Sequence, residues 1–177
     1  TRGLGCGGFP EKGAKAAQET IAEVKEVLKG SDMVFVCAGM GGGTGTGSAP
    51  IVAQVAKDAG AIVIGTVTMP FKIERARIDK AEFGLQQLRQ TSDTVIVIDN
   101  NRLVNIAGNL PVQQAFAVAN ELISTMIRGI VETIAVPSLV NLDYADVKAI
   151  MQDGGVAAIG VGVSDTTNRV DEAVKGA

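Results

Sequence analysis

The sequence has 177 residues, 46% of them hydrophobic, and its formal net charge is −3. This much apolar material can form a buried core, which excludes a disordered chain, and the acidic balance argues against nucleic acid or an anionic membrane as the main partner. The absence of histidine excludes a Ser-His-Asp triad, and two cysteines, Cys6 and Cys37, are too few for a zinc site or a disulfide framework. This cysteine usage predicts a cytoplasmic protein, and no apolar run approaches the ~20 residues that span a membrane.

The two ends of the sequence favour the interpretation that it is an excised piece. The chain begins at Thr1 without an initiator methionine and ends at Ala177 inside a helical pattern. We therefore expect it to be part of a longer protein.

Three short apolar runs alternate with amphipathic segments along the first three quarters of the chain. The predicted elements are a helix over 13–28, a strand over 33–37, a helix over 48–59, a strand over 61–67, a helix over 73–90, a strand over 94–98 and a helix over 112–131. Strands that alternate with helices predict an α/β fold with a Rossmann-like, doubly wound parallel sheet.

The pattern changes after Pro137. A helix over 145–151, a strand over 157–163 and a helix from Arg169 are predicted there. We expect a first domain over 1–136, including the long helix, and the beginning of a second α+β domain over 137–177.

The strongest motif is a glycine-rich run that lies between the first predicted strand and the following helix. Its members are Gly41, Gly42, Gly43, Thr44, Gly45, Thr46 and Gly47, followed by Ser48. Glycines let the backbone approach a ligand, the amides at a helix N-terminus bind anions, and the hydroxyls offer further donors. No lysine follows the glycines, so the run is not a Walker A loop. A tight turn would need fewer glycines, and the run therefore predicts a phosphate site.

A second glycine cluster lies near the start of the chain. The sequence from Gly3 to Gly8 matches G-x-G-x-x-G in form, but no strand precedes it in this chain. We interpret Cys6, Gly7 and Gly8 as a second backbone loop over phosphate oxygens; a plain flexible terminus is the alternative.

Polar and aromatic side chains follow the second and third predicted strands. Asn100 lies where open parallel sheets bind ligands and can pair with a sugar or a base edge, although a turn residue is the alternative. Phe116 and Asn120 share one helix face, so that a ring could stack on a purine while an amide reads its edge; core packing is the alternative for Phe116. Glu74 is available to a ribose hydroxyl, and Arg77 either meets phosphates or is solvated.

Two acids, Asp143 and Asp146, lie three residues apart at a predicted helix start. They could hold and polarise a water or ligate a cation. They could equally be an N-cap and a first-turn acid that the helix dipole favours.

Five separated motifs, in order along nearly the whole chain, resemble the tubulin/FtsZ family of GTPases. The run GGGTGTGSAP at 41–50 is similar to the tubulin signature. The other four motifs are GLGCGGFPEKG at 3–13, TMPF at 68–71, DNNRL at 99–103 and NLDYADV at 141–147.

The resemblance implies a protein that binds and hydrolyses GTP and stacks head to tail into filaments of the cell-division ring. It implies GTP or GDP as the ligand, with Mg²⁺ beside GTP, and a location in the cytoplasm at the mid-cell division site. Its expected partners are further copies of itself and ring-tethering or regulatory proteins, with no nucleic acid and no direct membrane insertion.

The resemblance also implies a role for individual residues. The phosphates would be held by Cys6, Gly7, Gly8 and the run from Gly41 to Gly47, with Thr68, Pro70 and Arg77 nearby, the ribose by Glu74, and the guanine and its sugar by Asn100, Phe116 and Asn120. Asn141, Asp143 and Asp146 would form a synergy loop that enters the site of the next subunit and helps to activate the attacking water. The active site would then be shared between two molecules.

The sequence departs from the family pattern in three places. The family's first strand and first phosphate loop precede Thr1, and the C-terminal domain is cut short, so the resemblance implies a fragment that is weak or inactive alone. The family often has an arginine four residues after the ribose-binding glutamate, where this chain has Ile78, with Arg77 one place earlier.

Two other functions are compatible with parts of the sequence. A Rossmann-type oxidoreductase that uses a nicotinamide or flavin dinucleotide would need an acidic residue after the second strand, where Thr68-Met69-Pro70 stands. A piece without activity that caps filaments is the third possibility.

Overall fold

The computed structural model describes residues 3–102, 112–135, 143–152, 155–157 and 164–176. Its helices and strands, in chain order, are α1 (Pro10–Glu19), α2 (Ile21–Leu28), β1 (Met33–Gly39), α3 (Thr44–Asp58), β2 (Ile62–Met69), α4 (Arg75–Thr91), β3 (Thr94–Asp99), α5 (Val112–Ala135), α6 (Tyr144–Met151), β4 (Gly155–Ala157) and α7 (Arg169–Gly176).

The four strands form one parallel sheet in the order β1-β2-β3-β4. Met33 of β1 lies opposite Ile62 of β2, and Thr94 of β3 lies opposite Ile64 of β2. Parallel neighbours need crossover connections, which the helices between the strands supply. The predicted α/β class with a parallel sheet is confirmed.

Helices cover both faces of this sheet. On one face, Ala53 of α3 and Leu88 of α4 pack on Val63 and Val95. On the other face, Met126 of α5 joins a cluster with Ile62, Ile64 and Ile96, against which α6 also packs. Burial on both faces explains why the strands read as continuous apolar runs instead of alternating with polar residues.

The structure divides the helix predicted over 13–28 into α1 and α2. The chain leaves the helical conformation at Thr20, whose φ is −112° and ψ 21°. The break has a packing reason, because Gly13 holds α1 against the backbone of Gly43, whereas α2 packs on the core through Leu28.

The third helix begins at Thr44, four residues before the predicted start at residue 48. The glycines of its first turn make this possible by allowing close contacts. A Cβ on Gly45 would lie 2.8 Å from the carbonyl oxygen of Gly39, and one on Gly47 would overlap that of Pro10. These glycines serve tight packing within a helix, which propensity alone disfavours.

The last quarter of the chain is described in part. The predicted boundary at 137 and most of the strand predicted over 157–163 lie outside the described residues, and the two-domain division stays a prediction. The described strand β4 pairs with β3 in the same sheet. Across the described ranges, no helix combines the length and hydropathy that crossing a bilayer requires.

Candidate functional site

Three segments follow the carboxyl ends of β1, β2 and β3 and meet at one edge of the sheet. Together with the N-terminal glycine loop they form what we call the carboxyl rim, which comprises residues 6–9, 40–47, 68–77 and 99–102. Open parallel sheets bind their ligands at this edge.

The glycine-rich run leads directly into the N-terminus of α3. Gly43 is the N-cap, and no side chain caps the amides of the first turn. Free first-turn amides and the positive end of the helix dipole form an anion site. The Thr46 hydroxyl oxygen is buried and accepts a 2.9 Å hydrogen bond from the Gly41 amide, and the Ser48 hydroxyl donates to the Thr44 carbonyl. The Thr46 hydroxyl therefore ties the loop to the first turn of α3, and the Ser48 hydroxyl bonds within that helix.

Gly41 and Gly43, like Gly45 and Gly47 of the same run, lie where no side chain fits. Gly41 has a φ of +98°, and a Cβ there would lie 2.9 Å from Cβ of Arg77. A Cβ on Gly43 would lie 2.7 Å from Cβ of Cys6. The run thus packs against the loop after β2 on one side and the N-terminal glycine loop on the other.

The N-terminal loop at Cys6 to Gly8 has defined contacts with the rim. The Thr44 hydroxyl donates to the Cys6 sulfur at 3.5 Å, and the Lys80 ammonium donates to the Gly8 carbonyl oxygen at 2.6 Å. Gly7 and Gly8 have φ values of +58° and +77°, which side chains disfavour. The structure therefore brings this loop beside the glycine-rich run.

The loop after β2 contributes the next part of the rim. The Met40 amide donates to the Thr68 carbonyl at 2.9 Å, which ties this loop to the glycine-rich run, and Pro70 lies beside Gly41. The Glu74 carboxylate accepts from the Phe71 amide at 3.2 Å and pairs with the Arg77 guanidinium at 2.9 Å. These contacts orient Glu74 at the rim.

The helical turn that begins at Asn100, directly after β3, completes the rim. Asn100 is 5% exposed, and its Oδ1 has no hydrogen-bond partner within the described part of the chain. Asn101 Oδ1 accepts from the Lys72 amide at 3.0 Å, which joins this turn to the loop after β2.

An aromatic pair lies next to these loops. The ring of Phe116, on α5, lies 5.7 Å from that of Phe71 at an angle of 60°. Phe116 is 44% exposed, so it is not packed in the core, whereas Ala119 and Met126 of the same helix are buried. Asn120, one turn further on, is exposed.

Asp143 and Asp146 form a capping box at the start of α6. The Asp146 amide donates to the Asp143 carboxylate at 2.9 Å, and the Asp143 amide donates to the Asp146 carboxylate at 3.2 Å. The predicted N-cap interpretation is confirmed, and both acids remain exposed to solvent. Asn141, the third predicted member, lies outside the described residues.

The two acids do not lie at the carboxyl rim. The neighbouring Tyr144 hydroxyl donates to the Asp32 carbonyl at 2.6 Å, immediately before β1, and the Met151 carbonyl accepts from the hydroxyl of Thr94, which begins β3. Helix α6 therefore lies along the opposite edge, which we call the amino edge and define as residues 32, 57, 93, 94 and 143–151. A seven-residue β1 separates the edges by about 20 Å at roughly 3.3 Å per residue.

The pKa of Tyr144 is raised, first by desolvation and then by the negative charges of Asp32 and Asp93. No group of three or more acidic or cysteine side chains that could hold a metal ion occurs in the ranges the structure covers.

Phe71, which lies at the rim, and Lys80, which lies on α4, were given no role from the sequence. No sequence pattern singles out Lys80, but in the structure it lies four residues before Gly84, where a Cβ would strike the side chain of Thr46. That spacing places Lys80 on the face of α4 that meets α3.

The chain is similar to known proteins of one family. Residues 1–108 match the tubulin/FtsZ family, GTPase domain. Cell division protein FtsZ 2 of Methanocaldococcus jannaschii is 61% identical over 97% of this chain and 45% of its own length, and cell division protein FtsZ 1 of Thermococcus kodakarensis is 52% identical over 99% and 47%. The chain therefore spans about half the length of these curated relatives.

Solved structures agree with this match. A structure of an empty FtsZ dimer from M. jannaschii superposes with a TM-score of 0.94 at 48% identity, covering 100% of this chain and 52% of that one. CetZ from Methanosaeta thermophila has a TM-score of 0.82 at 23% identity over 98% of this chain and 50% of its own, which shows the shared fold.

Proposed function

Because the chain belongs to the tubulin/FtsZ family, we propose that the protein containing it binds GTP and GDP at the carboxyl rim, hydrolyses GTP and polymerises head to tail into cell-division filaments. The similar dimer from M. jannaschii supports self-association. The location at mid-cell in the cytoplasm and the ring-tethering or regulatory partners belong to the same proposal.

The phosphate part of the site suits a polyanion. The uncapped first turn of α3 offers amides, and the backbone is open at Gly42, where an added Cβ would meet nothing within 4 Å. The Arg77 side chain is 61% exposed beside this loop and can turn toward a phosphate. Oriented amides with a mobile cation are the usual way in which proteins hold phosphate groups.

The nucleoside part fits a purine and its sugar. The unpartnered, buried Oδ1 of Asn100 favours a ligand that donates an N–H or O–H, because buried acceptors are rarely left unsatisfied. The exposed face of Phe116 and the Asn120 amide suit stacking and edge recognition. Glu74 can accept from a ribose hydroxyl.

The observation that carries the proposal is the placement of the two acids. They lie at the amino edge, about 20 Å from the glycine-rich run along β1. They cannot reach a nucleotide bound to the same copy. A head-to-tail contact places the amino edge of one copy on the carboxyl rim of the next, and repetition of that contact makes a filament.

We assign the chemistry to this junction. The Asp146 carboxylate orients a water and takes its proton as the water attacks the terminal phosphorus, with Asp143 and Asn141 beside it. The bond from that phosphorus to the bridging oxygen breaks, and GDP and inorganic phosphate are the products. Mg²⁺ neutralises phosphate charge when bound and takes much of its coordination from water and phosphates, so a dedicated carboxylate cluster is not required.

The dinucleotide-dependent oxidoreductase is not favoured. Thr68 and Met69 end β2, Pro70 follows it, and none of the three carries a carboxylate for a ribose at that place. The family match also favours the GTPase.

The test is an Asp146→Asn substitution in the complete protein. The asparagine amide keeps an oxygen for the Asp143 amide, so the helix cap survives while the carboxylate is lost. We expect GTP binding and filaments to be retained and turnover to fall at least about 100-fold, as measured by phosphate release.

A matched control is Asp171→Asn, which makes the same change in the first turn of α7. Its turnover should stay within about twofold of the parent, as is usual for a surface acid outside a site. Full turnover by Asp146→Asn would remove Asp146 from the mechanism.

A further inference from the structure

We propose that Lys80 is a positioning residue that holds the N-terminal glycine loop, residues 6–8, closed over the phosphates. The identity of the ligand rests on the function proposed above. The closure itself rests on contacts within this chain and can be tested without any nucleotide.

The contact joins two distant parts of the sequence. The Lys80 ammonium, on α4, donates a 2.6 Å hydrogen bond to the carbonyl oxygen of Gly8, and both residues are half-buried. A charged donor makes this bond stronger than one between neutral groups. The same ammonium lies 5.6 Å from the centre of the Phe9 ring, which favours a cation.

The rest of the loop needs such a tether. Cys6 packs closely on Gly43, but the polar contact that the described residues show between the loop and the glycine-rich run is the hydrogen bond from the Thr44 hydroxyl to the Cys6 sulfur, which is long and involves a weak acceptor. The amide of Phe9 bonds to the Cys6 carbonyl, which shapes the turn without attaching it to another element. Gly7 and Gly8 give the open loop many backbone conformations, so closing it costs a large conformational entropy.

The tether therefore raises the population of the closed loop. When only a fraction of the molecules is competent to bind, the apparent dissociation constant rises by the inverse of that fraction. Loss of a charge-assisted hydrogen bond is enough to lower the closed population about tenfold. Lys80 acts on the ligand through the Gly8 carbonyl and the loop that carries it.

The chain offers a matched control. The Lys12 ammonium lies 4.8 Å from the centre of the same Phe9 ring, on α1. Lys12→Met removes the same charge from the same neighbourhood and leaves the bond to Gly8 intact. Lys80→Arg keeps a cationic donor and serves as the rescue variant.

The first measurement is the labelling of Cys6 by N-ethylmaleimide in the complete protein without nucleotide, followed peptide by peptide. In Lys80→Met we expect the rate at Cys6 to rise at least about threefold, because local opening exposes the loop. The rate at Cys37, on β1, should not change.

The second measurement is the affinity for a slowly hydrolysed GTP analogue. We expect about a tenfold loss in Lys80→Met, a change within about twofold in Lys12→Met, and recovery to within about threefold in Lys80→Arg. Thermal melts of all variants should be close together, which separates loop positioning from a general loss of stability. Lys80→Gln replaces Lys80→Met, with the same expectations, if the latter does not fold.

The outcomes separate the two proposals. An unchanged Cys6 rate in Lys80→Met, or equal effects of Lys80→Met and Lys12→Met, would overturn the tether. Faster Cys6 labelling in a protein that binds no GTP would keep the tether and overturn the proposed ligand.

Discussion

The two edges of the sheet are built from the same three strands and differ in how their polar groups are used. At the carboxyl rim, the amides at the start of α3 and the Oδ1 of Asn100 are left for a ligand. At the amino edge, Asp93 is 7% exposed, accepts from the Val63 amide and pairs with Lys57. A parallel sheet thus leaves polar groups available to a ligand at one edge, whereas at the other edge the chain's own side chains can pair with them.

The largest expected effect is the recovery of GTP turnover when two inactive variants, one defective at each edge, are mixed. Gly43→Ala displaces the Cys6 loop and disables the rim, and Asp146→Asn disables the amino edge. Each variant alone should hydrolyse almost no GTP. In an equal mixture of the complete proteins, about one quarter of random head-to-tail junctions pair an intact rim with an intact acid, so about a quarter of the parent turnover should return.

This mixture also has its own control. Sedimentation should show that both variants enter the same polymer. Co-assembly without any recovered phosphate release would contradict an active site shared between the two edges.

Asp93 should matter for stability and not for ligand binding. Asp93→Ala leaves the buried Val63 amide without its acceptor and should lower the free energy of unfolding by about 3 kcal/mol in urea titrations. Lys57→Met should cost only about 1 kcal/mol, because the Lys57 side chain is 37% exposed. A change in the GTP affinity of folded Asp93→Ala would contradict the assignment of stability to the amino edge and of binding to the carboxyl rim.

Phe116 should matter for ligand binding and not for stability. Phe116→Ala removes an exposed ring from the rim and should weaken GTP binding about tenfold, the usual worth of a ring stacked on a base. Calorimetric titration measures this effect. Phe83→Ala, which removes a ring that is 56% exposed on α4, should leave the affinity unchanged; equal losses in both variants would mean that Phe116 has no specific role.

The architecture could be read from the sequence because burial on both faces produces apolar runs of strand length. The residues Ile62 to Val67 of β2 are all buried, and the corresponding run predicted the strand to within two residues at its end. The start of α3 was misplaced because glycine is a poor helix former, whereas here Gly45 and Gly47 permit contacts that any side chain would block.

The candidate site was predictable in composition and not in its internal contacts. The glycine-rich run and Asn100 could be predicted as site residues because they directly follow predicted strands. The bond from Lys80 to Gly8 joins residues 72 positions apart, and no local pattern specifies such a pair. The separation of Asp143 from the rim likewise follows from where α6 lies, which the Tyr144 hydroxyl fixes through Asp32.

The smallest expected effect concerns the hydrogen bond from the Tyr144 hydroxyl to the Asp32 carbonyl. The pKa of Tyr144 is raised in the folded protein, so folding favours the protonated phenol. A raised pKa contributes stability that is complete below the unfolded value near 10 and is lost as the pH rises through the folded value. Tyr144→Phe loses the hydrogen bond to the Asp32 carbonyl and should cost about 1 kcal/mol at pH 8. Urea unfolding at pH 8 and at pH 11 should show this difference shrinking at the higher pH, because only the parent protein loses the phenol proton. A difference that grew with pH would mean that the phenolate is favoured at the amino edge, contrary to the negative charges of Asp32 and Asp93 beside it.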